Sequence, residues 1–158
     1  MAHPRWLTAD EQVTWLAFLR AGNALMARLD DELRAGHDLS LAQYEVLAHL
    51  SEAPDGMLRM SDLADRVLFS RSRLTHLVDA MERAKLVARR KCDQDRRGTY
   101  AVITKTGLRA IADAAPTHVE GVRRYLIDAL RPATRRAMTK DLHDVLDRLG
   151  EPSAGTRG

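Results

Sequence analysis

Two short polar runs carry the chemistry of this chain. Ser70-Arg71-Ser72-Arg73-Leu74-Thr75-His76 sets hydroxyls, guanidinium forks and an imidazole within about two helical turns of each other. Asp93-Gln94-Asp95-Arg96-Arg97-Gly98 puts two arginines and two acids into a turn-forming tip. Between Arg71 and Arg97, nine Lys/Arg stand against four Asp/Glu, a local charge of +5 in a chain whose total is +3. A patch of this kind binds polyanions by releasing their counterions. The plain alternative is a solvated charged face.

These groups act together only if the right elements hold them. Ser70 is placed to cap a helix whose Leu74, Leu77, Val78 and Met81 recur at spacings of three and four. Arg71, Ser72, Arg73, Thr75, His76 and Asp79 then fall on its open side. Strand-like arms over 86–91 and 99–104 flank the Arg-rich tip, with Gly98 giving the turn its freedom. A shorter helix capped by Ser61, with Leu63, Ala64 and Val67 inward, comes before them. The order is that of a winged helix-turn-helix DNA reader, one helix for the major groove and a hairpin for the minor groove beside it.

Each polar residue then has an expected role. Ser70 and Ser72 sit by free N–H groups at the helix start and suit phosphate. Arg73 and His76 can reach base edges together, and an Arg fork matches guanine O6 and N7. Thr75 offers a methyl to thymine or a hydroxyl to phosphate. Arg71 either touches DNA or pairs with an acid of the protein. Arg90 is expected to touch DNA. Arg97 suits a narrow minor groove, braced by Asp95. Alternatively Asp95 and Arg97 pair only to hold the turn, and Arg96 meets the phosphate.

The chain has 158 residues, enough for one domain with a core and too few for a catalytic domain plus a DNA-binding one. Aromatic residues make up 4%, so Leu, Val, Ala and Met must fill the core, which suits helices. No apolar run reaches the roughly 18 residues of a membrane span, and no apolar leader follows Met1. A single cysteine, Cys92, excludes an intrachain disulfide. The expected setting is the cytoplasm, in association with the nucleoid.

Thr8-Ala9-Asp10-Glu11 and Ser40-Leu41-Ala42-Gln43 are capping boxes. The first opens a long helix running toward Gly36, with Val13, Leu16, Phe18, Leu19, Leu25, Met26, Leu29 and Leu33. Its stripe is wider than one small core can cover, which suggests a partner chain. The second opens a helix with Leu41, Tyr44, Leu47, Ala48 and Leu50 inward, ended by the turn Pro54-Asp55-Gly56. Residues 58–60 read as a short strand that pairs with the hairpin. Thr104 is placed to cap a further helix that Pro116 should kink or interrupt. Pro132 suits the first turn of a last helix, which stops at Gly150. Residues 151–158 read as a disordered tail.

Over roughly residues 8–149 the chain resembles the MarR (multiple antibiotic resistance regulator) family. Asp93 to Gly98, then Val102-Ile103-Thr104 and Gly107, are similar to its Asp-x-Arg hairpin signature and closing Leu-Thr-x-x-Gly, with Ile103 in place of Leu. Met60-Ser61-Asp62-Leu63-Ala64 and Ser70 to Val78 resemble its helix-turn-helix. The resemblance implies a mainly α fold with a small β-hairpin wing. Residues 40–104 would form the winged helix-turn-helix lobe, and 8–36 and 105–149 the dimerisation helices, within one domain over 1–158. It further implies a homodimeric repressor on a pseudo-palindromic operator, released by a small ligand. The partners are double-stranded DNA, a second copy and that effector, with no enzyme activity, no cofactor and no membrane.

Trp15, Phe18, His49 and Arg109 could border a crevice for an aromatic or phenolic anion, though Trp and Phe at helical spacing also suit a core. Cys92, beside Arg90 and Lys91, could act as a redox switch. Peroxide-sensing members carry their cysteine near the first helix instead, so an incidental thiol is the simpler reading. The six histidines (His3, His37, His49, His76, His118, His143) show no metal-ligand spacing. A redox- or metal-responsive regulator, an architectural DNA-binding dimer without ligand control, and a winged-helix module for protein contacts are the other readings.

Overall fold

The fold is a computed structural model, described for residues 4–91 and 98–150. The hairpin tip 92–97 and the segment 151–158, with the expectations placed on them, lie outside the described residues. Element order is α1 (Ala9–His37), α2 (Leu41–Ser51), β1 (Met57–Arg59), α3 (Met60–Val67), α4 (Arg71–Arg83), β2 (Val87–Lys91), β3 (Thr99–Ile103), α5 (Lys105–Val122) and α6 (Pro132–Leu149). The chain is mainly helical, with one three-stranded antiparallel sheet ordered β1-β3-β2. Contacts divide it into a unit ending at Gly121 and a second starting at Val122.

In the first unit both capping boxes form. Thr8 accepts from the Glu11 N–H while the Glu11 carboxylate takes the Thr8 N–H at 2.8 Å, and Ser40 with Gln43 repeats the pattern. α1 passes Gly36 and ends at Asp38, whose left-handed backbone (φ 53°) closes it. That conformation is one an Asp tolerates better than most residues. Asp30 ties α1 to α2, accepting from Arg34 at 2.6 Å and from the Leu41 N–H at 2.7 Å. The Arg34 guanidinium holds the Asp30 carboxyl below the usual range, against a smaller opposing push from burial.

The core sits under α2, α3, α4 and the sheet. Leu47, Leu50, Leu63, Leu74, Val78 and Met81 are almost wholly excluded from solvent. α2 buries Val46 as well, which the helical spacing had not singled out. β1 spans 57–59 rather than 58–60 and pairs with β3, Leu58 opposite Ala101. β2 pairs with β3 in the register Val87–Ile103, Arg89–Ala101 and Lys91–Thr99. Ser61 does not cap α3: the helix already starts at Met60 with Arg59 as its N-cap, and the Ser61 hydroxyl bonds Asp62. Ser70 does cap α4, accepting from the Arg73 N–H. Thr104 caps α5, its Oγ1 accepting from the Gly107 N–H at 3.0 Å.

Pro116 does not interrupt α5, which runs through it to Val122. Proline removes one backbone donor, and the turns on either side keep the helix continuous. The apolar stripe of α1 is covered only at Leu29 and Leu33, leaving Val13, Leu16, Phe18 and Met26 about half exposed. Leu108 and Val119 of α5 are also exposed.

The second unit opens with a wide π-type turn over Arg123–Ile127, closed by the Asp128 N–H on the Arg123 carbonyl at 2.9 Å. Pro132 starts α6 and Gly150 (φ 72°) ends it in the left-handed conformation that favours glycine. α6 buries no residue within the chain, and its Val145 and Leu149 stand exposed. No helix among the described residues is long and apolar enough to cross a membrane.

Candidate nucleic-acid interface

The open face of α4 matches the sequence expectation. Leu74, Val78 and Met81 face the core, while Ser70, Arg71, Ser72, Arg73, Thr75 and His76 are exposed. Three of these side chains are already engaged. The Ser70 hydroxyl oxygen holds the helix cap. The Thr75 hydroxyl donates to the Arg71 carbonyl at 2.8 Å, so its methyl is the part left for a ligand. The Arg73 guanidinium lies 3.8 Å over the Phe69 ring. Stacking uses the face of a guanidinium and leaves its in-plane N–H fork free for a base edge.

Behind Arg73, Glu45 of α2 is half-buried. Burial raises its carboxyl above the usual range, and the Arg73 charge opposes part of that rise.

Between α4 and the hairpin lies a cleft of about 480 Å³, lined in part by Arg59, Ser61, Arg71, Asp79, Arg89 and Thr99. Arg89 dominates its charge. The guanidinium lies 2.6 Å from Asp79 and 2.9 Å from Glu82, and it donates to the Thr75 carbonyl at 3.2 Å. Glu82 also accepts from the Arg89 backbone N–H at 3.0 Å. Arg89 therefore clips the hairpin to α4. Arg90 is exposed and turns across the sheet, its Nη2 2.9 Å from the Met57 sulfur. Arg59 lies 5.7 Å from the centre of the Tyr100 ring.

Several of these residues escaped the sequence reading: Phe69 under Arg73, Arg59 and Thr99 at the cleft, and Arg89. For Arg89 the signal existed. Strand alternation puts it on the face of Val87, which is buried, and Asp79 and Glu82 sit three apart on one helix face. Asp95, Arg96, Arg97 and Cys92 lie outside the described residues.

The four residues expected around an aromatic ligand are not gathered in the cleft. Trp15 and Phe18 stack on one another, ring centres 6.3 Å apart, each about half exposed. His49 is half-buried and Arg109 exposed. Elsewhere, His118 of α5 packs on the buried Tyr44 ring at 4.3 Å, and its Nδ1 is buried without a hydrogen-bond partner. Burial pulls the His118 imidazole below its ordinary range and pushes the Tyr44 phenol up. His37 meets Thr117 at 2.7 Å. Among the described residues no three His, Cys, Asp or Glu converge as metal ligands.

Comparison with known proteins agrees with this geometry. Residues 37–98 match the model of the MarR family. The chain is 32% identical over 82 residues to the HTH-type transcriptional regulator MhqR of Bacillus subtilis, a match spanning 52% of the chain and 55% of that relative. It is 32% identical over 111 residues to the homoprotocatechuate degradative operon repressor of Escherichia coli, 70% of the chain and 72% of the repressor. Among solved structures it is similar to AbsC of Streptomyces coelicolor (40% identity, 94% of this chain and 100% of that one, TM-score 0.89). Sco3205 of the same organism, solved in complex with DNA, matches at 34% identity (98% and 96% covered, TM-score 0.91). The polar helix face, the clipped hairpin and these likenesses have one explanation: the chain belongs to the MarR family of transcriptional regulators, winged helix-turn-helix DNA-binding proteins and not enzymes.

Proposed function

We propose that the chain acts as a homodimeric repressor that holds a pseudo-palindromic operator and releases it when a small phenolic anion binds. The observation that carries this reading is the exposed row Arg71, Ser72, Arg73, Thr75 and His76 on α4, with an arginine-bearing hairpin clipped beside it. Arg73 and His76 read base edges in the major groove, the fork of Arg73 presented edge-on by Phe69. Ser70, Ser72, Arg71 and Arg90 bind phosphate. Arg97 enters the minor groove, with Asp95 and Arg96 beside it at the tip. The half-exposed apolar residues of α1 and α6 supply the surface for a second copy.

The effector follows from the Escherichia coli relative, a repressor of a homoprotocatechuate-degrading operon. We assign Trp15 and Phe18 as its aromatic wall, with His49 and Arg109 as its polar partners. Selection of bound sequences from a random duplex pool should return two half-sites about one helical turn apart. Affinity for the selected duplex should fall steeply with salt, and Arg97→Ala should lower it about tenfold or more. Homoprotocatechuate should release the selected DNA. Recovery of no preferred sequence would refute the operator reading. Binding that ignores homoprotocatechuate and related phenolic anions would refute the effector.

A further inference from the structure

We infer that Arg89 does not touch DNA but makes the DNA face usable, by cancelling Asp79 and clipping the hairpin to α4 at a set distance. This rests on the family's DNA binding and assigns a positioning residue within it. Arg89 looks like a phosphate ligand in the sequence, one cation in a run of three from Arg89 to Lys91. Its surroundings say otherwise. The guanidinium is only about a quarter exposed, whereas Asp79 and Glu82, its two partners, are about two-fifths exposed. Both carboxylates lie within 3 Å of it, and a third donor site is taken by the Thr75 carbonyl. Three of the five N–H donors are so engaged, and the charge is already matched by carboxylates, so little of the fork is left for a phosphate.

The acids explain the arrangement. Asp79 lines the cleft between α4 and the hairpin, the space that DNA backbone must approach. An unpaired carboxylate there would repel phosphate. With Arg89 in place the three side chains carry a net charge of −1, and without it −2. The same fork fixes where the hairpin stands relative to the Arg73–His76 face, because it bonds the α4 backbone at Thr75 directly.

Affinity, salt dependence and thermal melting are measured for the full chain on a duplex selected by the wild-type protein from a random pool. Arg89→Gln should weaken binding about tenfold or more, because the Asp79 charge is released toward phosphate. Adding Asp79→Asn returns the cluster to −1 and should recover at least about threefold of the lost affinity, with the slope of log affinity against log salt restored; the shortfall that remains from wild type measures the clip. Arg89→Lys keeps one charge beside the acids and should stay close to wild type even if Arg89→Gln melts early. A phosphate-binding Arg89 gives a different pattern. The double variant would stay as weak as Arg89→Gln, and its salt slope would be lower by about one; that result overturns the inference. Failure of the wild type to bind any duplex would instead remove the DNA reading beneath it.

Discussion

Gly107→Ala sets local preference against packing, and the structure decides between them. Gly107 lies in the first turn of α5, where alanine should favour the helix by about 1 kcal/mol over glycine. A Cβ at this position would overlap the Leu86 carbonyl oxygen and stand 2.9 Å from Cγ1 of Ile103 and 3.2 Å from Cδ2 of Leu47. The first neighbour is backbone and cannot rotate away. The same carbonyl accepts from the Thr104 N–H at 3.1 Å and the Thr104 hydroxyl at 3.0 Å. Moving it therefore strains the joint between the end of the hairpin and the cap of α5. Overpacking against fixed atoms costs about 1–3 kcal/mol. Loosening the Thr104 cap costs about 1 kcal/mol more. Against the helix gain, a net loss of about 2 kcal/mol is expected, and a melting temperature lower by roughly 4–8 °C. Urea and thermal melts of the wild type and Gly107→Ala measure it. A variant as stable as wild type, or more so, would show that α5 does not press on Leu86 and would refute the packing.

His118→Phe keeps a ring on Tyr44 and deletes the unpartnered Nδ1, so it should add about 1 kcal/mol near neutral pH. Because burial lowers the folded-state imidazole, the unfolded chain takes up protons first as pH falls below about 6.5, and wild-type stability declines there. The variant should lose that decline; parallel stability curves for the two proteins would contradict a buried neutral imidazole. Phe69→Leu leaves Arg73 without its ring, worth about 0.5–1 kcal/mol. Discrimination among selected operators should fall by about twofold to fivefold in competition gel shifts, and unchanged discrimination would remove Phe69 from the reading of bases. Leu16→Asp places a charge in the exposed stripe of α1 and should convert the proposed homodimer to monomer in sedimentation while helicity persists; a dimer that survives would place the interface elsewhere.

What could be read from the sequence was what repeats or caps locally. Thr8–Glu11, Ser40–Gln43, Ser70 and Thr104 each act within one turn of their own position, and all four cap helices as expected. The core face of α4 followed from spacing alone. The misses share a different physics. Ser61 looked like a cap, but Arg59 takes that place two residues earlier because β1 runs directly into α3. Gly36 looked like a stop, but the chain turns at Asp38, where Asp30 also meets Leu41. Both outcomes depend on contacts between elements, which local preference does not contain.

The same limit governs charge. Nine cations lie between Arg71 and Arg97, yet among the described ones the availability for phosphate differs widely. Arg89 is bound to two acids, Arg73 is laid on a ring with only its edge open, and Arg90 reaches back to Met57. Arg71, at the mouth of the cleft, remains exposed. The salt dependence of binding should therefore be shallower than the cation count implies, because a guanidinium already neutralised by protein releases few counterions when DNA arrives. A slope matching all nine would mean that the Arg89 cluster opens on binding, and the hairpin would then be set by the DNA instead of by α4.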